Sequence, residues 1–274
     1  MVMDLSVELI HATVQLEQPL GDGTRTVGTG FLINSTGPDG APRTVLITAN
    51  HVLAKMPGKD ARVGYRISNP DGSWSYSPQT IRIRDDAGHA KWTSHPSRDV
   101  AAISITAPEE FAKAAIPLNW LAEDDTFASN HVGAGDEMMA LGFPRGLAAN
   151  QAGFPILRAG RVASFPVAPA KVFPTFLLDF TVFPGNSGGP VFMSQAGRQR
   201  VGSEPKDVQF IAGLLTQQVE LNSERLEIGI VTHAKFIRET IARLDNPLAP
   251  VTVARNEPVV GAKAASAEEA VAPN

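Results

Sequence analysis

What the chain lacks already limits its chemistry. None of its 274 residues is cysteine, so disulfides, thiolate metal sites and cysteine nucleophiles are excluded together. Any nucleophile must therefore be an oxygen or a nitrogen atom. The N-terminus, M-V-M-D-L-S-V-E-L-I-H, is acidic where a secretory signal would be basic. The acidic N-terminus and the absence of cysteine, which suits a reducing compartment, together predict a cytoplasmic protein.

Long apolar runs and blocks of one charge are also missing. No segment approaches the roughly 20 apolar residues that a bilayer-spanning helix needs. The 24 Lys and Arg residues are balanced by 28 Asp and Glu residues, and no basic cluster could follow a phosphate backbone. We therefore expect neither a membrane nor a nucleic acid as a partner.

The apolar segments that are present are short and rich in β-branched residues, as is typical of strands. The predicted strands are Val7–Val14, Val27–Ile33, Thr44–Thr48, Ile81–Ile83, Val100–Ile105, Met138–Leu141, Ile156–Val162, Phe176–Val182, Val191–Met193, Val208–Thr216 and Leu226–Thr232. Helical spacing occurs near the end, at Phe236, Ile237, Ile241 and Leu244. The pattern predicts an all-β fold with one C-terminal helix.

The same reading suggests how the chain is organised. Residues 1–246 form the predicted domain, with an N-terminal β lobe over about 7–115, a C-terminal β lobe over about 130–233 and the helix over 234–244. After Asn246 the composition turns to Pro, Ala, Val and Glu without periodicity. Such a segment buries too little apolar surface to offset the entropy of ordering, which predicts a flexible tail over 247–274.

The sharpest motif is F-P-G-N-S-G-G-P-V-F, at 183–192, in which a serine is surrounded by glycines. Glycines permit backbone angles that turn N–H groups toward a carbonyl oxygen as it becomes negative. Gly185 and Ser187 would supply these donors, with Asn186 between them in the same oxyanion loop. The alternative is a glycine-rich turn with an incidental serine.

Two further segments place a histidine and an aspartate beside buried strands. G-T-G-F-L-I, at 28–33, is followed by V-L-I-T-A-N-H-V-L, at 45–53, which puts His51 at the end of an apolar segment. In S-R-D-V-A-A-I-S-I, at 97–105, Asp99 starts a strand that otherwise reads as buried, so its carboxylate needs a partner. A core histidine and a turn aspartate bonded to nearby backbone are the structural alternatives.

Together these segments resemble the chymotrypsin-like (trypsin-like) serine peptidase superfamily, whose catalytic residues occur in the order His, Asp, Ser. The match runs from about Val7 to Leu244 and is closest to the bacterial Deg-type peptidases, which share G-N-S-G-G; no PDZ-like segment follows. The resemblance implies two antiparallel six-stranded β-barrels with a C-terminal helix. It also implies a serine endopeptidase that works through an acyl-enzyme, with Ser187 as nucleophile, His51 as general base and Asp99 orienting the histidine.

The resemblance implies a peptide or protein as the partner and no metal or other cofactor; the sequence assigns no oligomeric state. The residue six before the serine, at the base of the specificity pocket in this family, is Thr181, which offers no carboxylate for Lys or Arg. The facing wall would come from 214–217 and 228–231, including Leu215, Thr216, Gln217 and Val231. We therefore expect cleavage after small or medium apolar residues.

Two departures from the family bear on regulation and specificity. Neutral Asn186 stands where digestive members have an aspartate that pairs with a newly cleaved N-terminus, so activation by N-terminal cleavage is not expected. His233 could lie in the pocket, as in relatives selective for glutamate, or it could mark the start of the final helix.

Other functions compete with this interpretation. G-N-S-G-G also fits the G-x-S-x-G pattern of α/β-hydrolases, with Asp207 and His233 following in order, but Gly188–Val191 suits a turn and a strand rather than a helix. A protease fold that only binds peptides, or an enzyme held in a resting state, is the non-catalytic alternative. His89, His95 and Asp99 could suggest a metal, yet they lack compact ligand spacing.

Overall fold

The computed structural model describes residues 4–199, 202, 204–221, 224–252 and 263–264, of which 218–221, 224–225 and 263–264 are described by their backbone alone. Within these ranges the chain forms two antiparallel sheets that follow one another along the sequence, with short helices at their edges.

The first sheet has eight strands in the described residues, in the order β5-β4-β1-β2-β3-β7-β6, with β8 parallel to β2. They are β1 Thr13–Pro19, β2 Arg25–Thr36, β3 Pro42–Thr48, β4 Asp60–Ser68, β5 Trp74–Arg82, β6 Thr93–Ser94, β7 Ala101–Ile105 and β8 Ile116–Pro117. Strand β4 was not among the predicted strands, because Asp60, Arg62 and Arg66 mask its apolar positions. Its residues Ala61, Val63 and Tyr65 alternate toward the core, as a half-buried strand requires.

The second sheet closes on itself. Its strands are β9 Glu137–Gly142, β10 Ile156–Val162, β11 Thr175–Asp179, β12 Pro190–Arg198, β13 Lys206–Leu221, β14 Glu224–His233 and β15 Lys263–Ala264. The order β12-β9-β10-β11-β14-β13 ends where β12 pairs with β13, so six strands form a barrel. Strand β15 adds to the outer side of β13 through Val219 and Glu220.

The predicted fold class is confirmed: the chain is mainly β, with a C-terminal helix, and the second sheet is a closed six-stranded barrel. The first sheet differs from the expected six-stranded barrel, because its path stays open between β5 and β6 in the described residues. Strand β6 has only two residues, and most of β5 faces solvent.

The N-terminal segment corrects one prediction. Residues from Val7 were expected to form a strand, but Leu5–Ala12 form helix α1, and β1 begins only at Thr13. The Asp4 side chain caps the helix by accepting a hydrogen bond from Ser6 N at 2.9 Å. Leu5, Leu9 and Ala12 are buried on one face, so helical packing outweighs the β propensity of the intervening residues.

The other helices of the described residues are α2 Asn50–Ala54, α3 Glu109–Ala114, α4 Asp124–Ser129 and α5 Ala234–Asp245. Helix α5 packs against β6 and β7 of the first sheet and β13 of the second, burying Phe236, Ile237 and Ile241. It therefore bridges the two sheets. None of the helices in the described part of the chain has the length and apolarity to cross a bilayer. Of the tail predicted at 247–274, residues 253–262 and 265–274 lie outside the described residues.

Candidate active site

His51 and Asp99 are brought together by two neighbouring strands. His51 lies in α2 directly after β3, and Asp99 precedes β7, which pairs with β3 so that Thr48 is opposite Ala101. The Asp99 carboxylate contacts the histidine twice: Oδ2 lies 2.6 Å from Nδ1, and Oδ1 accepts from the backbone N–H at 2.9 Å. A carboxylate in this position favours the tautomer with hydrogen on Nδ1, which leaves Nε2 free to accept a proton.

The aspartate–histidine contact does not define a site by itself. Asp85 and His89 repeat it, with the carboxylate 3.0 Å from Nδ1 and 2.8 Å from the backbone N of His89. That pair is in an exposed loop, whereas the His51 and Asp99 side chains are each only 25% exposed. The helix that carries His51 also begins next to the turn that contains Ser187.

The serine turn joins the segment after β11 to β12 and is attached to both sheets. Gly188 N donates to Leu215 O at 2.7 Å, and Leu215 N donates to Gly189 O at 2.9 Å, which ties the turn to β13. The Ser187 carbonyl accepts from Thr29 N of β2 at 2.9 Å. The serine backbone is therefore held at the junction of the two sheets.

Gly188 shows how closely the turn approaches the histidine helix. It has a φ of +89°, and a Cβ built on it would overlap Thr29 O and Thr48 Oγ1 and lie 2.9 Å from Ala49 N. Only glycine fits such an approach. Because Ala49 caps α2, the serine turn packs directly against the start of the helix that carries His51.

The Ser187 side chain is almost buried, and its hydroxyl donates to Thr216 O at 3.4 Å. This distance is long for a hydrogen bond between two oxygens, for which about 2.7–2.8 Å is usual. The hydroxyl is therefore weakly held, and rotation about Cα–Cβ can redirect it at small cost.

Two backbone N–H groups beside the serine are unused. In the described residues, the N–H groups of Gly185 and Ser187 donate no hydrogen bond, although both residues are buried. Arg145 N donates to Pro184 O at 2.6 Å, and in a trans peptide this directs the Gly185 N–H to the opposite side. Gly185 has a φ of +93°, which favours glycine. Buried donors without partners are rare, and here they suit a ligand oxygen.

Asn186 differs from its two neighbours. Its backbone N–H donates to Phe183 O at 3.1 Å, so of the three residues predicted for the oxyanion loop only Gly185 and Ser187 have free N–H groups. The Asn186 side chain is 2% exposed, and neither Oδ1 nor Nδ2 has a hydrogen-bond partner in the described part of the chain.

The residues predicted for the specificity pocket lie on both sides of the serine. Thr181, half-buried, comes between β11 and the serine turn, while Leu215 and Val231 are opposite each other on β13 and β14 and are buried. Thr216 turns its hydroxyl toward Thr232 Oγ1 at 3.2 Å and its carbonyl toward Ser187. Gln217 is partly exposed.

His233 and Asp207 are not part of this site. The His233 ring is buried between Phe127 and Phe176, with centroids 4.9 and 5.1 Å away, and burial lowers its pKa to about 4. Asp207 accepts from Gly197 N at 2.8 Å. Because strand β12 rather than a helix follows the serine, the α/β-hydrolase alternative is wrong.

The three residues of the metal alternative also have separate partners. His89 contacts Asp85, Asp99 contacts His51, and His95 Nε2 lies 3.1 Å from Glu239 Oε2. Ser97 N donates to the other ring nitrogen of His95 at 3.2 Å. His95 therefore links the loop before Asp99 to α5 instead of contributing to an ion site.

Sequence reasoning missed two residues that support the site. Thr29 Oγ1 donates to Gly185 O at 2.6 Å, and Arg145 N binds the neighbouring Pro184 carbonyl. The only sequence signal for Thr29 was its place between the glycines of G-T-G. Arg145 follows a proline and precedes a glycine, and it has a φ of +52° in its turn.

Comparison with models of protein families gives a match over more than half of the chain. The family model described as the trypsin-like peptidase domain matches residues 28–201. Comparison with curated protein sequences gives no match.

Solved structures with a similar fold include the HtrA-type protease AlgW with a tripeptide, at 16% identity and a TM-score of 0.53, covering 89% of this chain and 64% of that chain. The MamO protease domain from Magnetospirillum magneticum has 16% identity and a TM-score of 0.53, with 85% and 97% covered. The protease Anisep from Arthrobacter nicotinovorans has 14% identity and a TM-score of 0.51, with 86% and 95% covered. This chain spans less than two thirds of the AlgW chain. At these identities the likeness concerns the fold.

Proposed function

Because the chain belongs to the trypsin-like peptidase domain family, we propose that it is a serine endopeptidase with Ser187, His51 and Asp99 as its catalytic residues. The observation that carries the proposal is the double contact of Asp99 with His51, at 2.6 and 2.9 Å, beside a serine turn with two unused N–H groups. A structural histidine would not need a serine turn with two unused donors packed against the start of its helix.

In the proposed reaction, Ser187 Oγ attacks the carbonyl carbon of the scissile peptide bond while its proton passes to His51 Nε2. The carbonyl oxygen becomes negative and accepts hydrogen bonds from Gly185 N and Ser187 N. The C–N bond then breaks, and His51 returns the proton to the leaving amine. Water hydrolyses the acyl-enzyme by the same route in reverse, with His51 again as base.

The hydroxyl of Ser187 has to leave Thr216 O before this reaction can start. Since that contact is 3.4 Å long, turning the hydroxyl toward His51 loses little hydrogen-bond energy. Catalytic contacts are often loose without substrate and tighten when it binds. Asp99 keeps its charge throughout and stabilises the protonated imidazole.

Peptides with small or medium apolar residues before the cleaved bond are the proposed substrates. Thr181 brings no charge to the pocket base, and the neighbouring Leu215 and Val231 are apolar, so a substrate cation would be desolvated without a partner. The AlgW structures contain a tripeptide and a decapeptide, which supports peptides as the ligand class. The absence of cysteine supports a reducing compartment, and we propose the cytoplasm.

The test is to incubate the protein and its Ser187→Ala variant with a fluorophosphonate probe and, separately, with casein. Ser194→Ala, in strand β12, is the matched serine control. We expect labelling and peptide release from the unmodified protein and from Ser194→Ala, and neither from Ser187→Ala. The released peptides would report the residue before the cleaved bond. A folded protein that neither reacts with the probe nor cleaves casein would contradict the proposal and favour a peptide-binding module.

A further inference from the structure

Thr29 lies at the centre of the contacts that surround the serine turn. It is in β2, its side chain has no exposed surface, and its backbone N donates to Ser187 O at 2.9 Å. Its carbonyl accepts from Thr48 Oγ1 at 2.7 Å. Both backbone groups are thus engaged, which holds the side chain in one place.

The Thr29 hydroxyl then joins two loops that approach from the second sheet. It donates to Gly185 O at 2.6 Å and accepts from Phe143 N at 3.1 Å. Gly185 belongs to the serine turn, and Phe143 begins the turn that presents Arg145 N to Pro184 O. The Thr29 hydroxyl therefore binds the serine turn directly at Gly185 O. Through Phe143 N it also supports the turn whose Arg145 N binds Pro184 O.

These contacts fix both peptide groups around Gly185. The Pro184 carbonyl is bound by Arg145 N, and the Gly185 carbonyl is bound by Thr29 Oγ1, each at 2.6 Å. Because peptide groups are planar, fixing the Pro184 carbonyl fixes the direction of the Gly185 N–H. Glycine itself imposes little restraint on its backbone angles, so the orientation of the two peptides depends on these two bonds and on the bond from Asn186 N to Phe183 O.

We propose that Thr29 is a positioning residue that keeps the Gly185 N–H directed toward the oxyanion. The inference rests on the proposed function, in which that N–H is a donor to the reacting carbonyl. Without the Thr29 hydroxyl, Gly185 O and Phe143 N lose their partner in a buried region, where an unpaired group is unfavourable. Loss of the acceptor for Phe143 N loosens the turn that holds Arg145 N against Pro184 O. The Pro184–Gly185 peptide, which carries the Gly185 N–H, can then rotate and turn that N–H away.

The experiment compares Thr29→Val, which keeps the side-chain shape without the hydroxyl, with Thr29→Ser, which keeps the hydroxyl. Thr13→Val is the matched control, because Thr13 is also fully buried in the first sheet and its hydroxyl has no partner in the described residues. We expect kcat to fall at least tenfold in Thr29→Val with KM little changed, up to the roughly 10³-fold loss seen when an oxyanion donor is removed. Thr29→Ser and Thr13→Val should stay within about threefold of the unmodified protein, since both keep the Gly185 contact.

Crystal structures of the variants provide a second measurement that does not require activity. We expect the Pro184–Gly185 peptide to be turned in Thr29→Val and unchanged in Thr29→Ser. If Thr29→Val does not fold, the Thr29→Ala and Thr29→Ser pair, which differ by the hydroxyl, replaces it in both measurements.

Unchanged kcat in Thr29→Val, or a fall in kcat with the Gly185 N–H still in place, would overturn the role of Thr29 while leaving the endopeptidase proposal intact. If the unmodified protein has no activity and no probe labelling, the endopeptidase proposal fails. The orientation of the Pro184–Gly185 peptide in the crystal structures then decides whether Thr29 positions it. An unturned peptide in Thr29→Val then overturns the inference, and a turned one supports it.

Discussion

At the scale of single residues, the two oxygens of Asp99 have separate tasks. Oδ1 accepts from the His51 backbone N–H, and Oδ2 faces Nδ1. In Asp99→Asn, the amide oxygen would keep the backbone contact, so its NH2 group would face Nδ1 and place the ring hydrogen on Nε2. His51 could then no longer accept the serine proton. We expect kcat to fall by about 10³–10⁴ with KM little changed.

Steady-state kinetics on a casein-derived peptide would measure this loss, with Asp85→Asn as control. That variant removes the carboxylate from the exposed pair with the same geometry and should leave kcat unchanged. Near-normal activity in Asp99→Asn would exclude Asp99 as the residue that sets the tautomer.

Asn186, directly before the serine, occupies a buried position in which a charge would be unfavourable. Its side chain is buried without hydrogen-bond partners in the described residues, so Asn186→Asp would bury an unpaired charge. We expect it to lower the free energy of unfolding by about 2–5 kcal/mol at pH 7. The loss should be smaller at pH 5, because burial raises a carboxyl pKa and the protonated form is tolerated better.

Urea unfolding at the two pH values measures this effect. Asn186→Ala is the control: it removes an amide that has no partner, so it should be destabilising by less than Asn186→Asp at pH 7. An Asp variant as stable as the unmodified protein would mean that a cation reaches this position.

At the scale of elements, Arg66 of β4 extends the contacts of its strand beyond the pairing of β4 with β1. The guanidinium is 1% exposed and donates to four backbone oxygens, those of Ile10, His11, Thr13 and Gly153. The rings of Phe111 and Phe154 flank it at 5.1 and 4.9 Å. Burial lowers the Arg66 pKa to about 10. Through these hydrogen bonds, the Arg66 side chain attaches the end of α1 to the loop that follows the Arg145 turn.

Replacing Arg66 by Met would keep most of the apolar stem but leave these buried carbonyls without donors. We expect Arg66→Met to lower the free energy of unfolding by about 2–4 kcal/mol, measured by denaturant unfolding. Arg62→Met, four residues earlier and 53% exposed, should cost less than about 1 kcal/mol. Equal stability of the two variants would show that the carbonyls find other partners.

At the scale of the whole molecule, a buried histidine at the end of β14 resists protonation. Burial lowers the pKa of His233 from 6.5 to about 4, so below pH 6.5 the unfolded chain binds a proton that the folded chain does not. The stabilisation is complete above pH 6.5 and is lost as the pH falls toward 4. Between pH 6.5 and pH 4, this difference in proton binding lowers the free energy of unfolding by roughly 3 kcal/mol.

The free energy of unfolding of His233→Gln should therefore fall less between pH 6.5 and pH 4 than that of the unmodified protein. Denaturant unfolding at several pH values in this range measures the difference. His89→Gln, at a ring that is 79% exposed, should follow the unmodified protein. Parallel curves for all three proteins would contradict a buried neutral His233.

The prediction of elements succeeded where the local pattern was clean and failed where it was mixed. The segments at 156–162 and 44–48 read as apolar strands and are strands. Burial alternates along the first, whereas the second is buried throughout, and both patterns are visible in the sequence. The charged residues of β4 interrupt the apolar pattern by which a strand is predicted, although in the structure their side chains reach solvent or the carbonyls of α1. The β-branched residues of α1 suggested a strand, but Asp4 and the spacing of Leu5, Leu9 and Ala12 favour a helix.

The sequence by itself determined the all-β class, the C-terminal helix and the candidate residues His51, Asp99 and Ser187, because each stands in a local motif of glycines or buried strand. Only the tertiary structure decided that Gly185 and Ser187 keep their N–H groups free, that Asn186 does not, and that Thr29 bonds to a residue 156 positions away. The glycines of a turn can be recognised as a local sequence motif. The orientation of one peptide group depends on hydrogen bonds from distant strands, and those leave no local pattern in the chain.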